Sequence, residues 1–348
     1  MALIILLSVL AVLLAAAAIY FYKCTHYWQP SYRATVKAGF IEKDATLPDG
    51  SVIHYAEGPD NGDALLLIHG QTGCWESYTS VLPALSKNWH VFAVDCYGHG
   101  KSSHNISKYD LDKNGDDLIW FVNQVIGGRT VVSGHSSGGL LAAYIAACGG
   151  KNIEGTVLED PPVFSTEPDY FKKSFAYIDT YKVMHEYDQS RKSECWPAYY
   201  LRHCYWGQLY MAKAMPGLAN YAQKYADSHD GKAVQFFFMP PSINQTFQYV
   251  DNYDFAFGEH FYDYSWHAGI SHEKLMRDIH VPAVFLHAKA QYSKDGILLA
   301  ASSDEQARRA VDLIGDPCRL VELESNHLIH WYHPDVFIDA VNSLLRNK

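Results

Sequence analysis

The chain has 348 residues, of which 48% are apolar and 19% charged, and a net charge of -10. That balance belongs to a folded chain long enough for one large domain with an insertion, or for two modest domains, and it excludes a disordered segment. An acidic chain with no strongly basic stretch has nothing to neutralise phosphates, which excludes nucleic acid as a partner.

Residues 1–22, "MALIILLSVLAVLLAAAAIYFY", carry no charge, and Lys23 ends the run. As a helix they would reach about 33 Å, enough to cross a bilayer core of about 30 Å. The expectation is a single-pass membrane anchor. Secretion after cleavage of a signal peptide is the alternative, because Ala15 to Ala18 would suit a signal peptidase. Lys23, Arg33 and Lys37 follow the span and none precedes it, which favours a cytoplasmic body. The sequons at Asn105 and Asn244 point the other way.

Residues 23–38 read as a polar linker. "GFIEKDATLPDGSVIHYAEG" (39–58) then predicts a hairpin turning at Pro48-Asp49-Gly50. Short apolar runs follow at 64–70, 90–98, 129–135, 154–160, 282–288 and 318–325, with helical spacing between them, as in "SGGLLAAYIAACGG". Alternation of this kind predicts a mostly parallel central sheet with helices on both faces. It breaks between 163 and 270, where "WPAYYLRHCYWGQLY" and "FAFGEHFYDYSWHAG" concentrate aromatic residues and only "AVQFFFM" looks strand-like. The expected organisation is therefore an α/β core over 39–162 and 271–348, with an aromatic-rich helical cap over 163–270 lying where open α/β sheets bind ligands. The plainer alternative is an ordinary helical subdomain.

The seven cysteines are scattered and contain no CxxC pair, which gives a zinc site or redox motif no support. A Cys195–Cys204 disulfide stays open beside the plainer reading of free thiols.

The segment "VVSGHSSGG" (131–139) follows a predicted strand and opens a predicted helix, the setting of a G-x-S-x-G nucleophile elbow. Gly134 and Gly138 would remove collisions on either side of Ser136, and Gly139 would let the helix approach the sheet. Three further motifs follow the same order: "LLIHGQTG" (66–73), "DCYGHGKS" (95–102) and "SNHLIHWYHPDVFIDAVNSLL" (325–345).

With these motifs the chain resembles the α/β-hydrolase superfamily from about residue 40 to the end. The resemblance implies an α/β-hydrolase fold with no cofactor and no metal. It makes Ser136 the nucleophile, His327 the general base, and the backbone N–H groups of Gln71 and Ser137 the oxyanion hole. Asn326 stands where the family usually has glycine, and asparagine tolerates positive φ. His330 and His333 follow His327 at helical spacing, but no carboxylate or cysteine pattern makes a metal site of them. Asp95 is implied to order a loop. The acid is expected a few residues past the strand after the cap. Asp295 is the first choice there, with Asp304 and Asp160 as alternatives whose plainer readings are a helix cap and a turn before two prolines.

The implied activity is hydrolysis of an ester or related acyl bond of a small apolar or amphipathic substrate through an acyl-enzyme. Lactonase, C–C bond hydrolase and cofactor-free haloperoxidase chemistry are alternatives on the same residues. A membrane-tethered binding protein on an inactive hydrolase fold is another. Serine at the elbow disfavours the epoxide-hydrolase and haloalkane-dehalogenase branches, which need aspartate there.

Overall fold

A computed structural model describes residues 1–190, 194–316 and 318–345. Eight strands form one sheet in the order β1-β2-β4-β3-β5-β6-β7-β8. The hairpin comes first: β1 (Ile41–Thr46) and β2 (Val52–Glu57) pair antiparallel, and Gly50 takes φ +85° at the turn. β2 also runs antiparallel to β4 (Trp89–Val94). From there β3 (Asp63–Ile68), β4, β5 (Thr130–His135), β6 (Ile153–Glu159), β7 (Ala283–Ala288) and β8 (Cys318–Leu323) are parallel throughout.

The side-chain period of two decides what each strand covers. In β3, Leu66 and Ile68 join one buried cluster, with the helices Leu111–Phe121 and Ser137–Cys148, while Leu65 and Leu67 join the other, with Trp75, Tyr78 and Phe337. Strand order reverses around β3, with β4 on one side and β5 on the other. Crevices in such sheets open at the carboxyl ends of strands flanking this switch, which is where the elbow and the loop after β3 lie.

Between β6 and β7 the chain makes a run of short helices from Pro168–Phe171 to His272–Arg277. Its aromatic residues pack mainly on one another: Tyr177 stacks on Tyr262 and Tyr181 on Phe261, with centroids 5.6 and 4.9 Å apart. The "AVQFFFM" stretch is not a strand; it passes as loop and turn into the helix Pro241–Phe247.

The expected linker is helical. Helix α1 runs from Ala2 to His26, and α2 spans Gln29–Lys37, started by Pro30 in its first turn, a position where the missing N–H does no harm. α1 is long and apolar enough to cross a membrane, and its most apolar window is wholly unburied. Its last turns dock on the insertion. Asn244 donates through Nδ2 to the Cys24 carbonyl (2.9 Å), Tyr20 donates to the Phe238 carbonyl (3.2 Å), and the Phe21 and Phe237 rings meet edge-on. Asn244 is only 3% exposed, so this sequon is built into the fold. All seven cysteines are free. Cys195 and Cys204 cap opposite ends of the helix Trp196–His203, about 13 Å apart along its axis, well beyond disulfide reach.

Candidate active site

Ser136 sits between β5 and the helix Ser137–Cys148 with φ 55° and ψ -123°, a strained conformation for a non-glycine residue. The glycines around it have measurable reasons. A Cβ on Gly134 would lie 1.9 Å from the Gly138 carbonyl oxygen, and one on Gly138 would lie 2.3 Å from that of His69. The Ser136 amide donates to the Glu159 carbonyl (2.9 Å), which ties the elbow to the end of β6.

The loop after β3 closes against the elbow: a Cβ on Gly70 would come within 2.8 Å of Ser136 Cβ. Gln71 follows directly. Its backbone N–H and that of Ser137 have no acceptor among the described residues, as preorganised oxyanion donors require. The Gln71 side chain donates instead to the Tyr253 hydroxyl of the insertion. His69 accepts from the Cys96 amide at Nε2 (2.9 Å), so Nδ1 carries the proton donated to the Gly70 carbonyl (2.7 Å). Burial holds this ring's pKa below the ordinary range despite the pull of Asp95. Asp95, 1% exposed, accepts from the Trp75 and Lys101 amides (2.7 and 2.9 Å), a scaffold role that joins two loops.

His327 lies between β8 and the helix Ile329–Tyr332, and its Nδ1 donates to Asp160 Oδ2 at 2.7 Å. Its carbonyl accepts from His135 Nε2 (3.1 Å), and the two rings lie 4.4 Å apart between centroids, which places His327 beside the residue preceding Ser136. Asn326 is not among the positive-φ residues, so the substitution for glycine needs no left-handed backbone.

The acid expectation is corrected here. Asp295 does not approach His327: it stands exposed at the tip of a tight turn in which Ser293 N donates to Ile297 O (2.9 Å) and its own amide donates to Ser293 Oγ. Asp304 does not reach His327 either; it opens the helix Asp304–Ile314 and meets His287 Nε2 at 2.8 Å. Asp160 is the carboxylate brought to the histidine. It is fully buried, with φ 43°, directly after β6. Its Oδ1 accepts from the Ala288 amide (3.1 Å) and His287 Nδ1 (3.3 Å). Burial alone would raise its pKa, but the hydrogen bonds from His287 and His327 prevail and hold it below the usual carboxylate value.

His330 gives its ring Nδ1–H and its amide to the buried Glu159 (2.8 and 2.7 Å). Among the described residues no cluster of three or more ligating side chains exists. His287, Glu159 and Tyr253 are the site residues that sequence reasoning missed. A signal for the first was present in "FLHA", a histidine at the end of an otherwise apolar buried strand.

A cavity of about 280 Å³ opens within the insertion, lined by Tyr187, Trp196, Tyr253 and Phe255 together with the charged Lys232 and Asp251. Tyr253 connects it to Gln71.

An elbow serine, a histidine bonded to a buried carboxylate and two amides without acceptors thus stand on a mostly parallel sheet led by a β-hairpin. The chain belongs to the alpha/beta hydrolase family, whose profile matches residues 65–340. Among curated proteins it is similar to bifunctional epoxide hydrolase 2 of Sus scrofa, 29% identical over 126 residues (35% of this chain, 22% of that protein). It is also similar to a serine hydrolase-like protein of Danio rerio, 28% identical over 128 residues (36% and 39%). The chain thus spans well under half the length of these curated relatives. Among solved structures, a bacterial membrane phospholipase A shares the fold with a TM-score of 0.62 at 19% identity, over 99% of this chain and 98% of that one.

Proposed function

We propose that this chain is a serine hydrolase that cleaves an ester or related acyl bond of an apolar or amphipathic substrate. The observation that carries the reading is the His327–Asp160 hydrogen bond formed beside a strained serine elbow. With Nδ1–H donated to the carboxylate, His327 Nε2 is the bare nitrogen and can accept the Ser136 Oγ proton. The Ser136 oxygen attacks the acyl carbon, and the Gln71 and Ser137 N–H groups receive the charge that develops on the carbonyl oxygen. His327 then returns the proton to the departing alcohol. A water activated by the same nitrogen hydrolyses the acyl-serine, and Asp160 stabilises the imidazolium at both stages.

The aromatic-rich insertion acting as a cap supports an apolar acyl group. The exposed apolar α1 supports a single-pass membrane anchor that keeps the enzyme beside amphipathic substrates. Serine in place of aspartate at the elbow argues against epoxide opening, despite the epoxide hydrolase among the relatives.

A fluorophosphonate probe tests the reading. Labelling of the wild type that is lost in Ser136→Ala is expected. Failure of the folded wild type to label or to cleave p-nitrophenyl esters would overturn it. Comparison of acetyl with long-chain esters tests the apolar acyl preference.

A further inference from the structure

His287, the next-to-last residue of β7, is fully buried and stands between two carboxylates, with Nδ1 3.3 Å from Asp160 Oδ1 and Nε2 2.8 Å from Asp304 Oδ1. A neutral imidazole has one N–H, and ionised carboxylates only accept. Both contacts are hydrogen bonds only if the ring carries two protons. Asp304 is itself held for this task by the Ala290 amide, which donates to the same Oδ1 at 2.8 Å.

Asp160 Oδ1 is therefore occupied by His287 and the Ala288 amide, and Oδ2 is left for His327. The charges alternate along the line Asp304, His287, Asp160, which ends at the His327 ring. We propose that His287, kept doubly protonated by Asp304, is a positioning residue that orients Asp160 toward His327. The role in turnover rests on the serine-hydrolase reading; the charge state of His287 does not.

The surroundings agree. Burial would pull the His287 pKa down, yet the hydrogen bonds and charges of Asp160 and Asp304 carry it above the ordinary histidine value. On the β8 side the charged neighbour is Glu322, which is paired with Arg308 (2.7 Å). Arg308 and Lys289 also act on or feel Asp304. On the far side of Asp160, His327 faces His135, which burial keeps well below the ordinary histidine pKa.

A positive charge at His287 offsets part of the Asp160 charge. When Ser136 gives up its proton, the proton rests on His327 Nε2, and Asp160 remains a carboxylate.

The test uses the full chain in detergent micelles with isotope-labelled histidine, read by NMR, with His287→Gln and His327→Gln to assign signals. In the wild type at pH 7.5 both His287 ring nitrogens are expected to be protonated. In Asp304→Asn one of these protons is expected to be lost, and the acid limb of kcat/KM on a p-nitrophenyl ester should move to higher pH by about half a unit to one unit, because the Asp160 charge is no longer offset. His287→Gln should move the acid limb in the same direction by a similar amount. A neutral His287 in the wild type, or an unmoved acid limb in both variants, would overturn the proposal. Should the NMR results be as expected while the wild type neither labels nor hydrolyses, the charge arrangement is supported and the hydrolase reading fails.

Discussion

Asp160 and His327 meet at 2.7 Å although they follow β6 and β8, strands that do not touch each other and are separated by β7. The contact spans β7 because Asp160, at φ 43°, leaves the end of its strand to lie against the Ala288 amide at the end of the next. Asp160→Asn should reduce kcat by about 10³–10⁴, since an amide cannot hold the His327 tautomer as a carboxylate does. Asp295→Asn should leave kcat within twofold. Steady-state kinetics on a p-nitrophenyl ester distinguishes the two variants, and equal losses would return the acid to the loop after β7.

Crowding at the elbow makes a stability outcome concrete. Gly134→Ala would place a carbon 1.9 Å from the Gly138 carbonyl oxygen, a backbone atom with nowhere to go. A loss on the order of 3 kcal/mol or more is expected, read as a fall in denaturation midpoint. Gly217→Ala, a helical position with nothing within 4 Å, is the control and should be neutral or better.

Asp179 in the insertion carries a pH signature. Burial raises its pKa to about 6, against the hydrogen bonds it accepts from the Trp206 amide and the Tyr200 hydroxyl. A carboxyl whose folded pKa is raised favours the folded state while protonated, so this contribution is complete below about pH 4 and fades as pH rises through about 6. The full swing is on the order of 2–3 kcal/mol. Asp179→Asn should flatten the wild type's stability loss between pH 4 and 7, as measured by chemical denaturation across that range; an unchanged slope would mean another group is responsible.

Asn244 should stay unglycosylated in a secretory host, because its amide is committed to the Phe236 and Cys24 backbone. Mass spectrometry of the peptide checks this directly. Asn244→Ala should loosen the docking of α1 by about 1–3 kcal/mol through the polar groups it orphans, seen as faster proteolysis between α1 and β1.

How much of this was legible in the chain depends on the range of the forces involved. The strands were readable because runs such as "ALLLIHG" must be apolar on both faces of a covered sheet. The elbow was readable because its glycines answer local steric demands only a few residues apart. The acid was not readable, because it depends on how far the ends of β6, β7 and β8 stand from one another, which no count along the sequence encodes. Counting forward from β7 leads to Asp295, but the chain there folds back on itself as Tyr292 bridges Leu298. The helix within the expected linker was hidden for a related reason: the polar residues at 29–37 form a helix whose inner face is set by a distant partner, Thr79, whose carbonyl accepts from the Thr35 hydroxyl.

Strand β6 supplies both the carbonyl that holds the Ser136 amide and, one residue later, the carboxylate that meets His327. With Asp160 as the proposed acid, the exposed turn at 294–296 has no duty in the chemistry. Related sequences are free to lengthen or shorten that turn over evolutionary time, and Lys294–Gly296 is the natural place to splice in an affinity tag or reporter without disturbing turnover.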